Sequence, residues 1–248
     1  MSKWKNFWEK VRNREGVGTA VSNTFSSFTP NSQKRREFVV IGLGRFGTSV
    51  AQTLVSYNHD VLAIDINEDR VQSMSSHLPH VVQLDATNDE SLRQIGIGQF
   101  ETGLVCISNH FEQNLLATTH LLDQGVNCVI TKARTFTQKQ ILEKIGVHQV
   151  VLPEHEAGVH LGRQLSVDNF IDYIDIRDGI SVVELNAPQT LFGNTLAECN
   201  LRQKLGLNVI AVTRGDDIMA NLRADFRIQP GDVLLVIGRI EDAEKLQS

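Results

Sequence analysis

Three closely spaced glycines are the first residues whose type and spacing point to a particular chemistry. They lie in "FVVIGLGRFGTSVAQTL", where an apolar stretch precedes them and a helical pattern follows. In such a unit Gly42 permits a tight turn, Gly44 lets backbone approach phosphates, and Gly47 lets the helix pack on the strand. The helix N-terminus favours an anion. We therefore predict that a nucleotide binds residues 42–47, which are Gly42, Leu43, Gly44, Arg45, Phe46 and Gly47.

A carboxylate follows this loop at the spacing that ribose recognition requires. Asp65 ends the second predicted strand, 23 residues after Gly42. A carboxylate at this distance accepts hydrogen bonds from both ribose hydroxyls. Because it also repels a 2′-phosphate, the pattern favours an adenine nucleotide without that group and argues against an NADP-type ligand.

Arg45 stands between two of the binding glycines, which leaves two interpretations open. A diphosphate neutralised by backbone N–H groups does not require an arginine. A triphosphate does, because its γ-phosphate carries charge beyond the reach of the loop. The alternative is an arginine on the first helical turn that faces only solvent.

Residues for catalysis are much harder to find than residues for binding. A dehydrogenase needs a proton donor beside its nicotinamide, yet neither Tyr57 nor Tyr173 belongs to a Tyr-x-x-x-Lys motif. The absence of any Gly-Lys pair excludes a Walker A loop. His155 and His160 are five residues apart, about 140° around a helix, so they cannot share a zinc ion. We predict that the chain is not an enzyme.

Composition and charge narrow the functional class further. The 248 residues carry a net charge of −5, and no apolar run reaches the ~18 residues of a membrane span. The first 36 residues have eight Lys/Arg and two Glu, so the remainder is acidic, which argues against nucleic-acid binding. The three cysteines are scattered and odd in number, which favours reduced thiols in a cytoplasmic protein over a set of disulfides.

The elements that must position the loop and Asp65 alternate between strand and helix patterns over residues 37–153. Apolar strands that are covered on both faces, with short helical crossovers, predict an α/β fold with a Rossmann-like, doubly wound parallel sheet. The predicted strands are 38–43, 60–65, 81–84, 102–108, 127–132 and 149–152, and the predicted helices are 46–57, 68–77, 89–95, 113–124 and 137–145.

The rest of the chain changes character. Residues 154–172 form a helical connection, and residues 173–248 predict a small α+β domain with mostly antiparallel pairing. Hairpin turns are indicated at Asp178-Gly179 and at Gly215-Asp216. A short helix over 195–205 and a final helix complete this domain.

Residues 1–36 are predicted to form a basic arm followed by a linker. Trp4, Phe7, Trp8 and Val11 would share one face of a helix, with the charged residues Lys5, Glu9 and Arg12 opposite. Such a helix can lie on anionic lipid or dock on a membrane protein. The alternative is a disordered tail.

Several stretches together resemble one family over residues 37–248, both modules in order. They are "VVIGLGRFG", "VLAIDINEDRV", "LDATNDESLRQIGI", "ITKARTFTQKQILEKIGVHQVVLPEHEAGVHLGRQL" and the tail "GNTLAECNLRQKLGLNVIAVTRGDDI…IQPGDVLLVIGRIEDAEKL". This combination is similar to the KtrA/TrkA-type RCK (regulator of potassium conductance) proteins, and the GLGRFG form is closer to KtrA. The resemblance implies a Rossmann nucleotide-sensing domain followed by a small C-terminal regulatory domain.

The resemblance also implies roles for individual residues. Arg45 would meet the γ-phosphate of ATP, and Glu154 would help to hold a divalent cation, Mg²⁺ or Ca²⁺, near the phosphates. The remaining cofactor-binding residues would be Asp65 and Asn67 at the ribose with Ile66 between them, Asp85, Ala86 and Thr87 at the adenine edge, and Ile107, Ser108 and Lys132 along the cleft.

The implied function is a cytoplasmic regulatory subunit at the inner face of the cell membrane. It would gate a membrane-embedded K⁺-translocating subunit through homodimers assembled into an octameric ring. ATP and ADP would compete for the cleft, and cyclic di-AMP would bind the C-terminal domain. The alternatives are an NAD(H)-sensing TrkA-like regulator and an NAD-dependent oxidoreductase.

Overall fold

Six parallel strands form the sheet that carries the glycine loop. The computed structural model describes residues 35–246, so the predicted arm over residues 1–36 lies almost entirely outside the described residues. The strand order is β3-β2-β1-β4-β5-β6, the order of a doubly wound dinucleotide-binding sheet. The strands are β1 (Glu37–Ile41), β2 (Asp60–Asp65), β3 (His80–Gln83), β4 (Thr102–Val105), β5 (Cys128–Lys132) and β6 (Gln149–Val151).

Helices connect these strands on both faces of the sheet. They are α1 (Arg45–Ser56), α2 (Glu68–Ser75), α3 (Asp89–Gln94), α4 (Phe111–Asp123) and α5 (Phe136–Lys144), with a 3₁₀ turn at Ile97–Gln99. The side chains of Asn67, Asn88 and Thr135 cap α2, α3 and α5 by accepting a backbone N–H of the first turn. Helix α1 differs because its N-cap is Gly44, which has no side chain to offer.

Alternating residues of the central strands build two separate cores. Val39 and Ile41 of β1 face one core, whereas Phe38 and Val40 face the other. Successive side chains of a strand point to opposite faces, so a sheet covered on both sides needs apolar residues throughout. This requirement explains the continuous apolar runs in the sequence.

The sequence predicts β4 three residues too long. The strand ends at Val105, which pairs with Ile41, because its neighbour β1 also ends there and the chain turns at Gly42. Residues 106–108 therefore leave the ladder and lie at the carboxyl edge of the sheet. The predicted Rossmann-like class is confirmed.

Five antiparallel strands form a second sheet, in the order β10-β9-β11-β8-β7. The chain divides into two compact units between Glu156 and Ala157, within helix α6 (Pro153–Ser166). The strands are β7 (Phe170–Arg177), β8 (Ile180–Asn186), β9 (Asn208–Arg214), β10 (Asp217–Met219) and β11 (Val233–Arg239). Helices α7 (Leu196–Cys199), α8 (Leu201–Leu205) and α9 (Ile240–Glu244) and a 3₁₀ turn at Gln189–Leu191 complete the unit. This arrangement confirms the predicted α+β domain.

Both hairpins lie where the turn residues predict them. Asp178 and Gly179 have φ of 54° and 76°, and two successive positive φ angles are what a type I′ turn requires. The turn between β9 and β10 begins at Gly215, whose φ is 59°. These two turns set the pairing of β7 with β8 and of β9 with β10.

Two helical predictions in this region are wrong in detail. The helical pattern predicted up to residue 172 ends at Ser166, because Phe170 pairs with Leu185 and enters the core of the second sheet. The helix predicted over 195–205 is two helices, since Asn200 adopts the left-handed conformation, with φ of 48°, and interrupts it.

Candidate nucleotide-binding site

The three glycines of the loop occupy three different environments. Gly42 has φ of 95°, and an added Cβ would lie 3.0 Å from the backbone at Cys106 and Ile107. At Gly47 an added Cβ would lie 1.9 Å from the carbonyl oxygen of Gly42, so the helix packs directly on the turn. At Gly44 an added Cβ would meet nothing within 4 Å. Gly42 and Gly47 thus build the loop, whereas Gly44 leaves open space in front of it.

Helix α1 begins at this open space without a side-chain cap. The first N–H groups of a helix lack partners inside the helix, and the helix dipole places partial positive charge there. Gly44 itself is extended, with φ of −73°, so its role is not conformational. The geometry fits a diphosphate that accepts hydrogen bonds from the loop.

The Asp65 carboxylate supports the loop as well as facing it. Its Oδ2 accepts hydrogen bonds from the Leu43 N–H at 2.6 Å and from Arg70 Nη1 at 3.2 Å, and its Oδ1 accepts one from the Asn67 N–H at 2.9 Å. A carboxylate has about four acceptor positions, so about one remains. Taking both hydroxyls of a ribose would therefore require Arg70 to release the carboxylate.

Arg45 is exposed at the first position of α1. Its backbone carbonyl accepts a hydrogen bond from Ser49, but no carboxylate within residues 35–246 pairs with its guanidinium. The side chain can therefore reach an anion at the loop without first breaking an ion pair.

Lys132 and Glu154 form an ion pair near the loop. The buried Lys132 Nζ lies 2.5 Å from Glu154 Oε1 and 5.6 Å from the centre of the Phe46 ring. The hydrogen bond from Lys132 lowers the pKa of the Glu154 carboxyl below its ordinary value. Glu154 is therefore an anion near neutral pH, and its side chain is 68% exposed.

A cation site at Glu154 would need ligands from elsewhere. Within the described range, no three His, Cys, Asp or Glu side chains cluster in a way that could hold a metal ion. Mg²⁺ in nucleotide sites is commonly held by one or two carboxylates together with phosphate oxygens and water. Glu154 fits the role of one such carboxylate and supplies no more than that.

The other predicted residues lie along the same edge of the sheet. Asp85 follows β3, and its Oδ1 accepts hydrogen bonds from the N–H and the hydroxyl of Thr87. Ala86 is buried between them, and Ile107 and Ser108 follow β4. Because the carboxyl ends of parallel strands share one edge, the fold brings the predicted residues after β1 to β5 to the place where such sheets bind ligands.

Three residues near the site were not predicted from the sequence. Arg70 contacts Asp65, His120 Nε2 lies 3.1 Å from the Thr87 carbonyl oxygen, and Asn114 binds two strand ends. Arg70 could have been found, because it follows Asp65 by five residues at the start of a helix. No local sequence signal identifies Asn114 or His120, since their partners lie between 7 and 33 residues away and belong to other elements of the fold.

Comparison with known proteins identifies the family. The chain matches the TrkA-N domain over residues 38–153 and the TrkA-C domain over residues 180–248. It is 34% identical over 215 residues to the Ktr system potassium uptake protein A of Bacillus subtilis, covering 87% of this chain and 97% of that protein. This chain belongs to the Ktr family of potassium uptake proteins.

Other Ktr relatives support the assignment. The Ktr system potassium uptake protein C of Bacillus subtilis is 32% identical, over 86% of this chain and 96% of that protein. The Vibrio alginolyticus protein A is 28% identical, over 86% and 97%. Membership in the Ktr family confirms the resemblance and the prediction that the chain is not an enzyme.

Solved structures agree with this Ktr fold. The GsuK channel matches with a TM-score of 0.62 and 18% identity, and a structure of the GsuK channel bound to NAD matches with a TM-score of 0.59 and 18% identity. In both, the match covers 85% of this chain but 38% of the channel chain. None of the helices described in this chain is long and apolar enough to cross a membrane.

Proposed function

We propose that this Ktr-family chain is an adenine-nucleotide sensor that regulates potassium uptake. ATP and ADP compete for the cleft, and the bound nucleotide shifts an equilibrium between two assembled states without turnover. The sensing domain comprises residues 37–153, the connection residues 154–172 and the regulatory domain residues 173–248. The relatives are named potassium uptake proteins, which supports a role in potassium uptake. The geometry of the glycine loop supports an adenine nucleotide as the ligand.

The observation that carries the proposal is the exposed Arg45 beside the open space at Gly44. The loop N–H groups and the helix dipole suffice for a diphosphate. An additional mobile cation is useful when a third phosphate must be recognised. In this proposal Arg45 binds the γ-phosphate, which it can reach from its own loop or from that of a neighbouring subunit.

Other cleft residues complete the proposed site. Asp65, Ile66 and Asn67 contact the ribose, and residues 85–87 contact the adenine edge. Ile107, Ser108 and Lys132 line the cleft. Glu154 contributes one ligand to Mg²⁺ or Ca²⁺ at the phosphates. Repeating the ATP titration with Mg²⁺, with Ca²⁺ and with EDTA tests the cation, and a Glu154→Gln variant that keeps the full cation dependence would contradict its role.

Calorimetric titration with ATP, ADP, NAD and NADH tests the ligand. We expect ATP and ADP to bind more tightly than NAD or NADH. In Arg45→Ala the affinity for ATP should fall about 10- to 100-fold, because a hydrogen bond to a charged group is lost, with a much smaller change for ADP. Arg202→Ala, which removes an exposed arginine of α8, is the matched control and should change neither affinity.

The same titration separates the alternatives. Tighter binding of NADH than of ATP would replace this proposal with an NAD(H) sensor, and turnover of NADH with any hydride acceptor would indicate an oxidoreductase. An equal loss of ATP and ADP affinity in Arg45→Ala would contradict the γ-phosphate role.

We further propose that the chain acts as a homodimer within an octameric ring at the cytoplasmic face of the membrane, bound to a K⁺-translocating subunit. A set of exposed apolar side chains on α6 and β7 supports assembly, because apolar side chains that are left exposed can be buried in a subunit interface. They are Val159, Leu161, Leu165, Ile174 and Ile176. Native mass spectrometry with ATP and with ADP measures the assembly, and a monomer under both conditions would contradict it.

The second sheet is the proposed place for another regulator, cyclic di-AMP. Calorimetry with cyclic di-AMP on the full chain tests this part independently, and we expect binding that persists in Arg45→Ala. Absence of binding would leave the adenine-nucleotide proposal unchanged.

A further inference from the structure

Asn114 is a buried polar residue of α4 that lies directly behind the proposed cleft. Its side chain is almost completely buried, 1% exposed, and its amide forms hydrogen bonds in two directions. The Nδ2 atom donates to the carbonyl oxygen of Ile107 at 2.8 Å and to that of Lys132 at 3.1 Å. The Oδ1 atom accepts from the Thr131 hydroxyl at 3.0 Å.

These bonds join two separate strand ends. Ile107 follows β4 and Lys132 ends β5, and no backbone pair of the β4–β5 ladder extends beyond Val105 and Thr131. Beyond that point the Asn114 amide connects the two backbone segments. The Asn114 amide therefore links β4 and β5 beyond the end of their own ladder, at the edge where ligands bind in folds of this kind.

Asparagine suits this position better than its isosteres. Two carbonyl oxygens need two N–H donors, whereas the Thr131 hydroxyl is best met by an acceptor. Aspartate would place a carboxylate oxygen against two carbonyl oxygens in a buried place. Leucine would remove the Asn114 donor from both carbonyls, and the loss of a buried hydrogen bond is costly.

Both carbonyls belong to residues that the proposed function assigns to the cleft. The Lys132 side chain reaches Glu154 and the Phe46 ring, so a shift of its backbone would move a buried cation near the phosphates. Ile107 also lies against the turn, because its N atom is 3.0 Å from where a Cβ of Gly42 would be.

We propose that Asn114 is a positioning residue that sets the nucleotide affinity of the cleft by holding the ends of β4 and β5 at a fixed separation. It does not contact the nucleotide itself. Its effect passes through the backbone of Ile107 and Lys132. The link to nucleotide affinity rests on the proposed function, whereas the link to the strand ends does not.

Asn114→Asp and Asn114→Ser test the link to affinity, with Thr118→Val as matched control. Thr118 lies one turn further along α4, is also fully buried, and its hydroxyl is within hydrogen-bonding distance of the side-chain oxygens of Asn114 and Thr131. We expect both Asn114 variants to bind ATP about tenfold more weakly than the wild type, and Thr118→Val to bind it normally.

Loss of stability alone does not produce this result. Apparent affinity falls only in proportion to the folded fraction, so a variant that is about 90% folded at the assay temperature loses about a tenth of its affinity. Thermal unfolding of each variant supplies that fraction. A folded Asn114 variant that binds ATP like the wild type, or an equal loss in Thr118→Val, would overturn the proposal.

A second measurement does not depend on any nucleotide. Cys106 precedes Ile107, and burial raises the pKa of its thiol to about 12. It should therefore react slowly with a thiol reagent such as an aromatic disulfide. In a chain carrying Cys128→Ser and Cys199→Ala, we expect Asn114→Ser to speed this reaction about tenfold or more, because the end of β4 opens locally.

The two measurements distinguish the two proposals. If wild-type protein binds neither ATP nor ADP, the proposed function fails, while faster Cys106 labelling in Asn114→Ser would still support the role at the strand ends. If the nucleotides bind but labelling and affinity are both unchanged in the Asn114 variants, the positioning role is wrong and the proposed function stands.

Discussion

Each of the two units pairs a buried aspartate with a partly exposed arginine, but the number of hydrogen bonds between the two side chains differs. Asp232 Oδ1 and Oδ2 accept from Arg214 Nε at 2.7 Å and Nη2 at 2.8 Å, and Oδ2 also accepts from the Gln229 N–H at 2.8 Å. Arg70 instead reaches Asp65 through a single hydrogen bond of 3.2 Å, while two backbone N–H groups hold the rest of that carboxylate.

The different numbers of hydrogen bonds indicate that the two ion pairs have different roles. The Arg214–Asp232 pair is bidentate, and the Gln229 N–H is a third donor to the same fully buried carboxylate. The pair therefore holds two segments of the second sheet together. The Asp65 carboxylate is held by its own loop, and Arg70 is half exposed, so Arg70 can leave without undoing the loop. The first pair stabilises the fold, and the second leaves a carboxylate available at a cleft.

Arg214→Ala should give the largest effect and sharpen this contrast. It leaves Asp232 as a buried charge that has lost its partner, which costs about 3 kcal/mol of unfolding free energy, the low end of the range because Arg214 is partly exposed. Chemical denaturation measures this change. Arg223→Ala removes a fully exposed pair with Asp225 in the same unit and should cost less than about 0.5 kcal/mol.

The same pair makes a pH prediction. Burial alone raises the pKa of Asp232, but hydrogen bonds from Arg214 and the Gln229 N–H outweigh burial, so the pKa lies below its ordinary value. The unfolded chain then binds a proton at higher pH than the folded chain does. This stability is therefore complete above about pH 5, starts to fall near the unfolded pKa of about 4, and is lost as the pH falls through the lowered folded pKa. The unfolding free energy of the wild type and of Asp232→Asn, measured as the pH is lowered, tests this prediction. If it falls no more steeply in the wild type than in Asp232→Asn, Asp232 is not the group responsible.

Gly47→Ala and Gly44→Ala test separately how the glycine loop contributes to stability and to nucleotide affinity. The added methyl at Gly47 collides with the Gly42 carbonyl, so we expect a loss of about 2 kcal/mol or more in unfolding free energy. At Gly44 the methyl enters open space, so stability should change by less than about 0.5 kcal/mol. Because that space is the proposed phosphate site, ATP affinity should nevertheless fall about tenfold or more. Normal ATP binding by Gly44→Ala would place the phosphates elsewhere.

Arg70→Ala should give the smallest effect and test whether its contact is replaceable. Freeing Asp65 for a ribose should raise the affinities for ATP and ADP equally, by about two- to threefold, because exposed ion pairs contribute little. Calorimetry detects this difference, and Arg93→Ala, which removes an exposed arginine of α3 paired with Asp89, is the control. Weaker binding in Arg70→Ala would mean that Arg70 contacts the nucleotide.

Local patterns were sufficient for most of the fold. Strand β2 begins and ends where its apolar run predicts, at Asp60 and Asp65, since both faces of the sheet are covered. Two of the failures have a common cause. Val105 ends β4 because its neighbour turns, and Phe170 is a strand residue because it pairs with β8, so both outcomes depend on partners distant in sequence.

The sequence by itself determined the sheet class, both hairpin turns, and the glycine loop with Asp65, since each depends on residue type and short spacing. The other residues of the proposed ligand site followed from the family resemblance. Only the tertiary structure decided that Lys132 is paired with Glu154 and that Asn114 holds two strand ends. These contacts join positions between 7 and 22 residues apart, and their hydrogen-bonding groups meet only after the parallel strands have aligned at one edge. Local spacing carries no information about that alignment.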